Sequence, residues 1–176
     1  MTSFWSDPFS IENFRHSAAK FADKVIRDMA SAGIAYGQHY SKVDHICYRV
    51  GSLESYEFWK AKLSPFSKVL SEAMVNGRPI TTLQLNEPIA VSESLAINLL
   101  ELPAPKSSTH YNEGFEHIEC VIQESLKEFQ GRFSAIDFKT NNIDAILNAD
   151  ISCRFGDGVV KFHNQCLSEI IQFEKF

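Results

Sequence analysis

The feature that most restricts the fold of this chain is a short motif that occurs twice, 72 residues apart. Asp44-His45-Ile46 in the first half matches Glu116-His117-Ile118 in the second. Another pair of segments, residues 97–101 and 170–174, aligns with a shift of 73. Because a nearly constant shift over half of the chain indicates a repeated unit, an internal duplication is the first topology to consider.

The first half of the chain predicts a strand, a helix and three further strands. Residues 43–50 form an apolar run of strand length, and residues 53–63 have apolar side chains at helical spacing. Two strand-like runs then meet at Asn76-Gly77, a strong signal for a β-hairpin. A last strand at residues 95–102 ends at Pro103.

The second half predicts a linker followed by the same order of elements. Residues 135–150 are ambiguous, and a short extra helix is one interpretation of their Asn- and Asp-rich stretch. The other predicted elements are a strand at 115–122, a helix at 124–133, a hairpin at Gly156-Asp157-Gly158 and a closing strand at 169–176.

Together these patterns predict an α+β fold in one compact domain. We expect two βαβββ modules that form a curved, partly closed mixed β-sheet around a cleft, with an N-terminal α-helical extension. Apolar residues at three- and four-residue intervals over residues 8–32 predict that helix. The expected boundaries are 1–41 for the helical extension, 42–106 for the first module, and 107–176 for the linker and second module.

Strand alternation turns the repeat into a prediction about chemistry, because residues two apart share a face. If the halves pair about a pseudo-two-fold axis, two imidazoles and two carboxylates converge on one cleft: His45, Glu101, His117 and Glu174. This donor set suits a divalent ion such as Zn, Ni, Fe, Mn or Co. Glu169 competes with Glu174 for the last position, although its strand parity is opposite.

Further polar side chains fall on the same predicted face. Glu119 is a candidate general base, and Arg49 is a candidate clamp for a substrate carboxylate or phosphate. An ion pair between these two residues is the competing structural interpretation. Gln84 and Gln172 are candidate substrate-binding residues, with packing roles as the alternative.

Three segments, VDHICYRV, LLELPAPK and EGFEHIE, give the chain its resemblance to a known family. The spacing of His and Glu resembles the vicinal oxygen chelate superfamily, which includes glyoxalase I and extradiol dioxygenases. Within it, these segments are most similar to the YecM family of bacterial proteins. The resemblance implies paired βαβββ modules and a metal site, with no assigned reaction.

Composition narrows the functional classes. The chain has 17 Lys and Arg against 22 Asp and Glu, a net charge of -5, which argues against a nucleic-acid partner. It has neither an apolar run of about 20 residues that would span a membrane nor a secretory signal, so we expect a cytoplasmic protein. We expect a monomer, with a dimer as the alternative.

These observations favour a divalent-metal-dependent enzyme that acts on a small oxygen-bearing metabolite, of lyase, isomerase or dioxygenase type. A non-catalytic protein that binds or sequesters a small molecule in the same fold is the alternative. A third hypothesis is an adaptor that binds a protein partner through its N-terminal helix.

Overall fold

The repeated sequence pattern folds into two similar sets of elements in the computed structural model, which describes residues 9–106 and 111–173 apart from the side chain of residue 173. The first set is β1 (Lys42–Arg49), α2 (Leu53–Leu63), a short 3-10 helix (Ser64–Phe66), β2 (Ser67–Val75), β3 (Arg78–Ala90) and β4 (Ala96–Pro103). The second set is β5 (Gly114–Val121), α3 (Leu126–Arg132), β6 (Lys139–Asn142), β7 (Asp150–Phe155) and β8 (Gly158–His163). Helices α1 (Ile11–Ser31) and α4 (Leu167–Phe173) flank the two sets.

The described strands form a single mixed sheet whose order is symmetric about its centre. From edge to edge the strands run β2-β3-β4-β1-β5-β8-β7-β6. Strand β1 pairs in parallel with β4, β5 pairs in parallel with β8, and β1 and β5 are antiparallel at the centre. The predicted α+β class, with two βαβββ modules and an N-terminal helix, is therefore confirmed.

Helix α1 covers one face of this sheet because its apolar residues recur on one side. Its buried residues are Ile11, Phe14, Ala18, Ala22, Val25 and Met29. Ser10 caps its first turn by accepting a hydrogen bond from the Asn13 amide. The helix approaches the sheet so closely that a Cβ at Gly158 would lie 2.4 Å from Val25 Cγ2. Glycine at the start of β8 thus allows the helix to pack there.

The closing strand predicted at residues 169–176 is wrong, because residues 167–173 form helix α4. Ile170 and Ile171 are both buried, at 8% and 7% exposure. In a strand such neighbours point to opposite faces, whereas in a helix they lie about 100° apart and can face the same core. The Leu167 amide also donates to Asp44 Oδ2 at 2.8 Å, which holds the helix against β1.

The strand predicted at residues 169–176 was wrong because the prediction for the second half lacked strand β6. The ambiguous segment 135–150 contains β6, whose residues are mostly exposed and so lack an apolar signal. The predicted hairpin at Gly156-Asp157-Gly158 exists, but it joins β7 to β8, the counterparts of β3 and β4. The hairpin at Asn76-Gly77 is confirmed, with both residues at positive φ.

Within the described residues, no helix has the length and apolar character needed to cross a membrane.

Candidate metal centre

Two β-bulges at the centre of the sheet build the candidate site. Between β1 and β5, Val43 is opposite Cys120 and His45 is opposite Glu119, so Asp44 is an extra residue on β1. Farther along the same pair of strands, Glu116 is the extra residue on β5. A bulge re-aims the side chain of the extra residue. In both halves it sets a carboxylate beside the imidazole that follows it in the sequence.

Each carboxylate fixes the orientation of its histidine. Asp44 Oδ2 lies 3.1 Å from His45 Nδ1, and Glu116 Oε2 makes the corresponding contact with His117 Nδ1. A carboxylate at Nδ1 places the proton there and leaves Nε2 to face the site. Within the described residues, neither buried Nε2 atom has a partner in hydrogen-bonding geometry. Both are therefore available as ligands.

Glu101 completes a set of three donors that lie close together. On β4 it is opposite Cys47, two residues after the position opposite His45. Its Oε2 atom lies 3.7 Å from His117 Nε2. One ligand atom from each of His45, Glu101 and His117 lies within 4.8 Å of the other two. The residue types and spacing fit a divalent ion, which prefers imidazole nitrogen and carboxylate oxygen in this combination.

A second combination of donors shares one histidine with the first. Cys47, Glu116 and His117 also bring three possible ligand atoms within 4.8 Å of one another. Glu116 is already engaged by Arg49 and by Nδ1 of His117. Burial raises the pKa of the Cys47 thiol, which keeps it protonated and a poor ligand. The set with His45 and Glu101 is therefore the better candidate.

Glu119 lies between the two histidines. Its Oε1 atom is 3.3 Å from His45 Nε2, 3.4 Å from His117 Nε2 and 2.6 Å from Lys161 Nζ. Burial alone would raise the pKa of this carboxyl, but the charges of His45 and Lys161 hold it well below its usual range. The side chain is therefore a carboxylate at neutral pH, able to accept hydrogen bonds.

The histidines respond to the same carboxylates. Burial disfavours charge on His45, but the carboxylates of Glu119 and Asp44 outweigh it and raise the pKa of His45 to about 9. Burial likewise opposes charge on His117, while the hydrogen bond to the Glu116 carboxylate helps to raise the pKa of that ring well above its ordinary value. Without a metal, both rings carry protons at neutral pH. Metal binding must therefore displace protons.

His163 is a third histidine at this site that sequence analysis did not assign to it. It lies on β8, its Nδ1 contacts the Gln165 carbonyl oxygen, and its Nε2 lies 3.6 Å from Glu119 Oε2. Its ring centroid is 6.4 Å from that of His45. The alternation of Val159, Lys161 and His163 on one strand was the signal that could have placed it there.

Lys161 occupies the place where the symmetry of the two halves puts a second ligand carboxylate. On β8 it is opposite Glu119, two residues after the position opposite His117. This is the position that Glu101 has in the first half. The strand argument that assigned this position to Glu174 is wrong, because the segment before it is helical. Glu174 itself lies outside the described residues.

The predicted substrate-binding residues lie in two places. Arg49 makes an ion pair with Glu116 at 3.0 Å and stacks over Tyr111, so its partner is Glu116 and not Glu119. Gln84 is opposite Leu99, which is in turn opposite His45. Gln84 and Gln172 both line a cavity of about 310 Å³ between the sheet and α4. Its other lining residues are Lys42, Leu70, Asn98, Leu99, Ser168 and Ile171.

Comparison with known proteins tests the predicted family. The chain matches the model of the YecM protein family over residues 10–155. It belongs to the YecM family. The matched region includes both histidine-carboxylate pairs and Glu101 but ends before β8.

Two relatives of this YecM-family chain cover most of its length. A Haemophilus influenzae protein described as uncharacterised is 29% identical over 186 residues, covering 93% of this chain and 96% of that protein. Protein YecM of Escherichia coli is 29% identical over 147 residues, covering 75% and 78% respectively. These names supply a family and no reaction.

Solved structures extend the likeness to the fold. A structural-genomics protein designated EC4020 has a TM-score of 0.74 at 26% identity, covering 99% of this chain and 98% of that chain. A variant of Streptomyces coelicolor methylmalonyl-CoA epimerase in complex with 2-nitronate-propionyl-CoA has a TM-score of 0.50 at 17% identity, covering 73% and 97%. The epimerase likeness concerns the fold, and it agrees with the predicted vicinal-oxygen-chelate architecture.

Proposed function

We propose that this YecM-family chain binds one divalent metal ion through His45, His117 and Glu101 and uses it to act on a small oxygen-bearing metabolite. The observation that carries the proposal is the pair of buried imidazoles whose Nδ1 atoms are held by carboxylates. Their Nε2 atoms face the site, 3.3 and 3.4 Å from Glu119 Oε1, and neither has a partner in hydrogen-bonding geometry among the described residues. A third donor lies within 4.8 Å of both. Zn, Ni, Fe, Mn and Co all accept such a donor set.

Side chains around the proposed metal would orient its ligands, transfer a proton and bind the substrate. When bound, the metal supplies Lewis-acid polarisation of a substrate oxygen. Asp44 and Glu116 hold the two rings in place, and Glu119 is the candidate to accept or return a proton in the cleft. Gln84 and Gln172 orient the substrate from the cavity that they line between the sheet and α4. Arg49 holds Glu116, and its guanidinium also contacts a carboxylate or phosphate of the substrate.

Glu174 stays a candidate for a fourth ligand. The chain carries this carboxylate directly after α4, the helix that packs over the cavity next to β1. Its assignment now depends on the path of the chain after residue 173 and no longer on strand parity. Metal affinity of Glu174→Gln tests it, since loss of a ligand weakens binding whereas loss of a solvated carboxylate does not.

Metal analysis tests the main proposal. We expect protein purified without chelators or affinity metals, then loaded with Zn²⁺, to hold one ion per chain. His45→Ala and His117→Ala should each weaken binding more than about 100-fold, because each removes a direct ligand. His16→Ala is the matched control, since that histidine is exposed on α1. Full stoichiometric metal in the double variant of His45 and His117 would overturn the site.

One observation favours the second candidate, a non-catalytic binding protein. A base works best with a pKa near the operating pH, and the pKa of Glu119 is held well below its usual range. In this case the cleft and its cavity bind a ligand without converting it. Incubation of metal-loaded protein with a panel of small oxo and hydroxy acids separates the two, because only an enzyme produces new compounds while both bind.

We also propose that the two halves arose by internal duplication and that the chain works as a cytoplasmic monomer. The matching strand order and the paired bulges support duplication. The four cysteines, all within the described residues, are free thiols, which fits a reducing compartment. Both halves of the candidate centre come from one chain, so a second copy is not needed to complete it.

A further inference from the structure

The cavity between the sheet and α4 is built from one face of each. On the sheet, Gln84 is opposite Leu99, which is opposite His45, so these side chains share one face. On α4, the lining residues lie three and four positions apart and so share one helix face: Ser168, Ile171 and Gln172. The volume of about 310 Å³ is at the lower end of the range for small-molecule sites, which suits a ligand with a single ring.

Carboxamide groups are the main polar feature of this cavity. Gln84, Asn98 and Gln172 line it from β3, β4 and α4. Within residues 9–106 and 111–173, none of these three side-chain amides has a hydrogen-bond partner. Each amide offers two N–H donors and one carbonyl acceptor in a single plane. The cavity therefore presents unpaired donors and acceptors together.

The charges near the cavity disfavour a cationic ligand. The described residues that line it include one lysine, Lys42, and no carboxylate. Lys42 is paired with Asp44 at 2.9 Å, and a second lysine, Lys68, is opposite Gln84 in the sheet. An ammonium ligand would thus lie beside lysines without a free carboxylate to balance its charge. Hydrogen bonds to the amides are the main polar interactions that the cavity offers.

We propose that this cavity binds a small lactam or imide, a ring compound in which a C=O group and an N–H group are adjacent. A primary amide pairs with such an edge through two hydrogen bonds, as Asn and Gln side chains do with the donor and acceptor of adenine. Leu99 and Ile171 supply apolar contacts for the ring. The inference deepens the proposed function, because it names a class of substrate, and it rests on the proposed substrate-binding role of Gln84 and Gln172.

Uracil and its N,N′-dimethyl derivative test the hydrogen-bonding edge, because the derivative keeps the ring and both carbonyl groups but has no N–H. Both compounds are titrated into chelator-treated protein, and heteronuclear NMR follows the side-chain amide signals of Gln84, Asn98 and Gln172. We expect uracil to shift these signals and to bind on the order of tenfold more tightly than the derivative, since lost hydrogen bonds weaken binding. Equal affinities, or no shift with uracil at millimolar concentration, overturn the proposal.

Substitution assigns the binding to the amides. Gln84→Leu and Gln172→Leu keep an apolar side chain of similar size but remove the N–H and C=O groups, so each should weaken uracil binding about tenfold. Gln123→Leu, at an exposed position outside this cavity, is the control and should bind uracil as the unaltered protein does. Unchanged uracil affinity in Gln84→Leu or Gln172→Leu overturns the assignment.

Both glutamines are exposed, so neither substitution opens a void in the core. If a Leu variant does not fold, the corresponding Met variant takes its place and must show the same loss of uracil affinity.

Metal content separates failure of this inference from failure of the metal site. Chelator-treated protein holds no metal, so uracil binding to it depends on the cavity alone. Protein that binds Zn²⁺ but not uracil refutes only this inference, and protein that binds uracil but not Zn²⁺ refutes only the metal proposal. Uracil that binds only to Zn²⁺-loaded protein, with equal affinity in the two glutamine variants, refutes the cavity as its site.

Discussion

The two central strands carry the same histidine-carboxylate device, but the strands beside them differ. In the first half β4 presents Glu101 to the centre, whereas in the second half β8 presents Lys161. The position two residues after each histidine also differs, with Cys47 on β1 and Glu119 on β5. The histidine-carboxylate pair that both halves share positions the nitrogen donors. The residues that differ between the halves, Glu101 against Lys161 and Cys47 against Glu119, decide how much charge surrounds those donors.

The two orienting carboxylates differ in burial, and this predicts unequal effects. The Asp44 side chain is fully buried and also accepts from Lys42 and the Leu167 amide, while that of Glu116 is 31% exposed. We expect Asp44→Asn to lower Zn²⁺ affinity about 100-fold and Glu116→Gln to lower it about 10-fold, because both carboxylates orient the histidine ligands and the buried one is held more rigidly. Competition against a chromogenic chelator measures both affinities.

Asp157→Asn is the matched control for these two variants, since that side chain is 98% exposed. Its Zn²⁺ affinity should equal that of the unaltered protein. If Asp44→Asn and Glu116→Gln both bind Zn²⁺ as tightly as this control, the two bulges do not orient metal ligands, and the comparison between the halves loses its functional meaning.

Lys161→Glu makes the second half resemble the first. The substitution places a carboxylate, as a fourth candidate ligand beside His45, His117 and Glu101, at the position equivalent to Glu101, so we expect Zn²⁺ affinity to rise about tenfold, since affinity for a dication increases with ligand charge. Calorimetric titration measures the change, and Lys127→Glu is the control for added negative charge far from the centre. A Zn²⁺ affinity of Lys161→Glu equal to that of this control would show that position 161 does not face the metal.

The smallest expected difference concerns the helix that follows each central strand. Ser52 caps α2 by accepting from the Ser55 amide at 3.0 Å. Ser125 caps α3 and also donates its amide to Glu128 at 3.1 Å, which makes a reciprocal capping box. We expect Ser125→Ala to cost about 1 kcal/mol of unfolding free energy and Ser52→Ala about half as much. Urea denaturation measures both.

Ser17→Ala, an exposed position on α1, is the reference for these caps and should change the unfolding free energy by less than about 0.5 kcal/mol. Equal losses at Ser52 and Ser125 would show that the carboxylate of Glu128 adds nothing to the cap of α3.

Much of the fold could be predicted because apolar periodicity and turn residues act locally. The strand around His45, helix α2 and the Asn76-Gly77 hairpin all have such signals, and all are confirmed. Strand β6 has no such signal, because its four residues are mostly exposed and it is defined by its pairing with β7. The hairpin at Gly156-Asp157-Gly158 is nevertheless confirmed, but without β6 it was matched to the wrong hairpin of the first half, and a strand that does not exist was predicted at residues 169–176.

The candidate site was predictable to the extent that it follows from strand alternation. The convergence of His45, Glu101 and His117 needed only the repeat and a pseudo-two-fold pairing. The bulges at Asp44 and Glu116 could not be anticipated, because a bulge depends on how two strands far apart in the sequence align. Simple strand alternation would place Asp44 and Glu116 on the face of the sheet opposite to the histidines. The bulges explain why these two carboxylates nevertheless contact them.

The sequence by itself determined the order of most elements and the convergence of His45, Glu101 and His117, since these follow from local pattern and a visible repeat. Only the tertiary structure decided which groups share the centre with them. Lys161 and His163 reach Glu119 because β8 pairs in parallel with β5, a contact between segments some 40 residues apart. Such register is fixed by the packing of the whole sheet, and no local pattern in the chain encodes it.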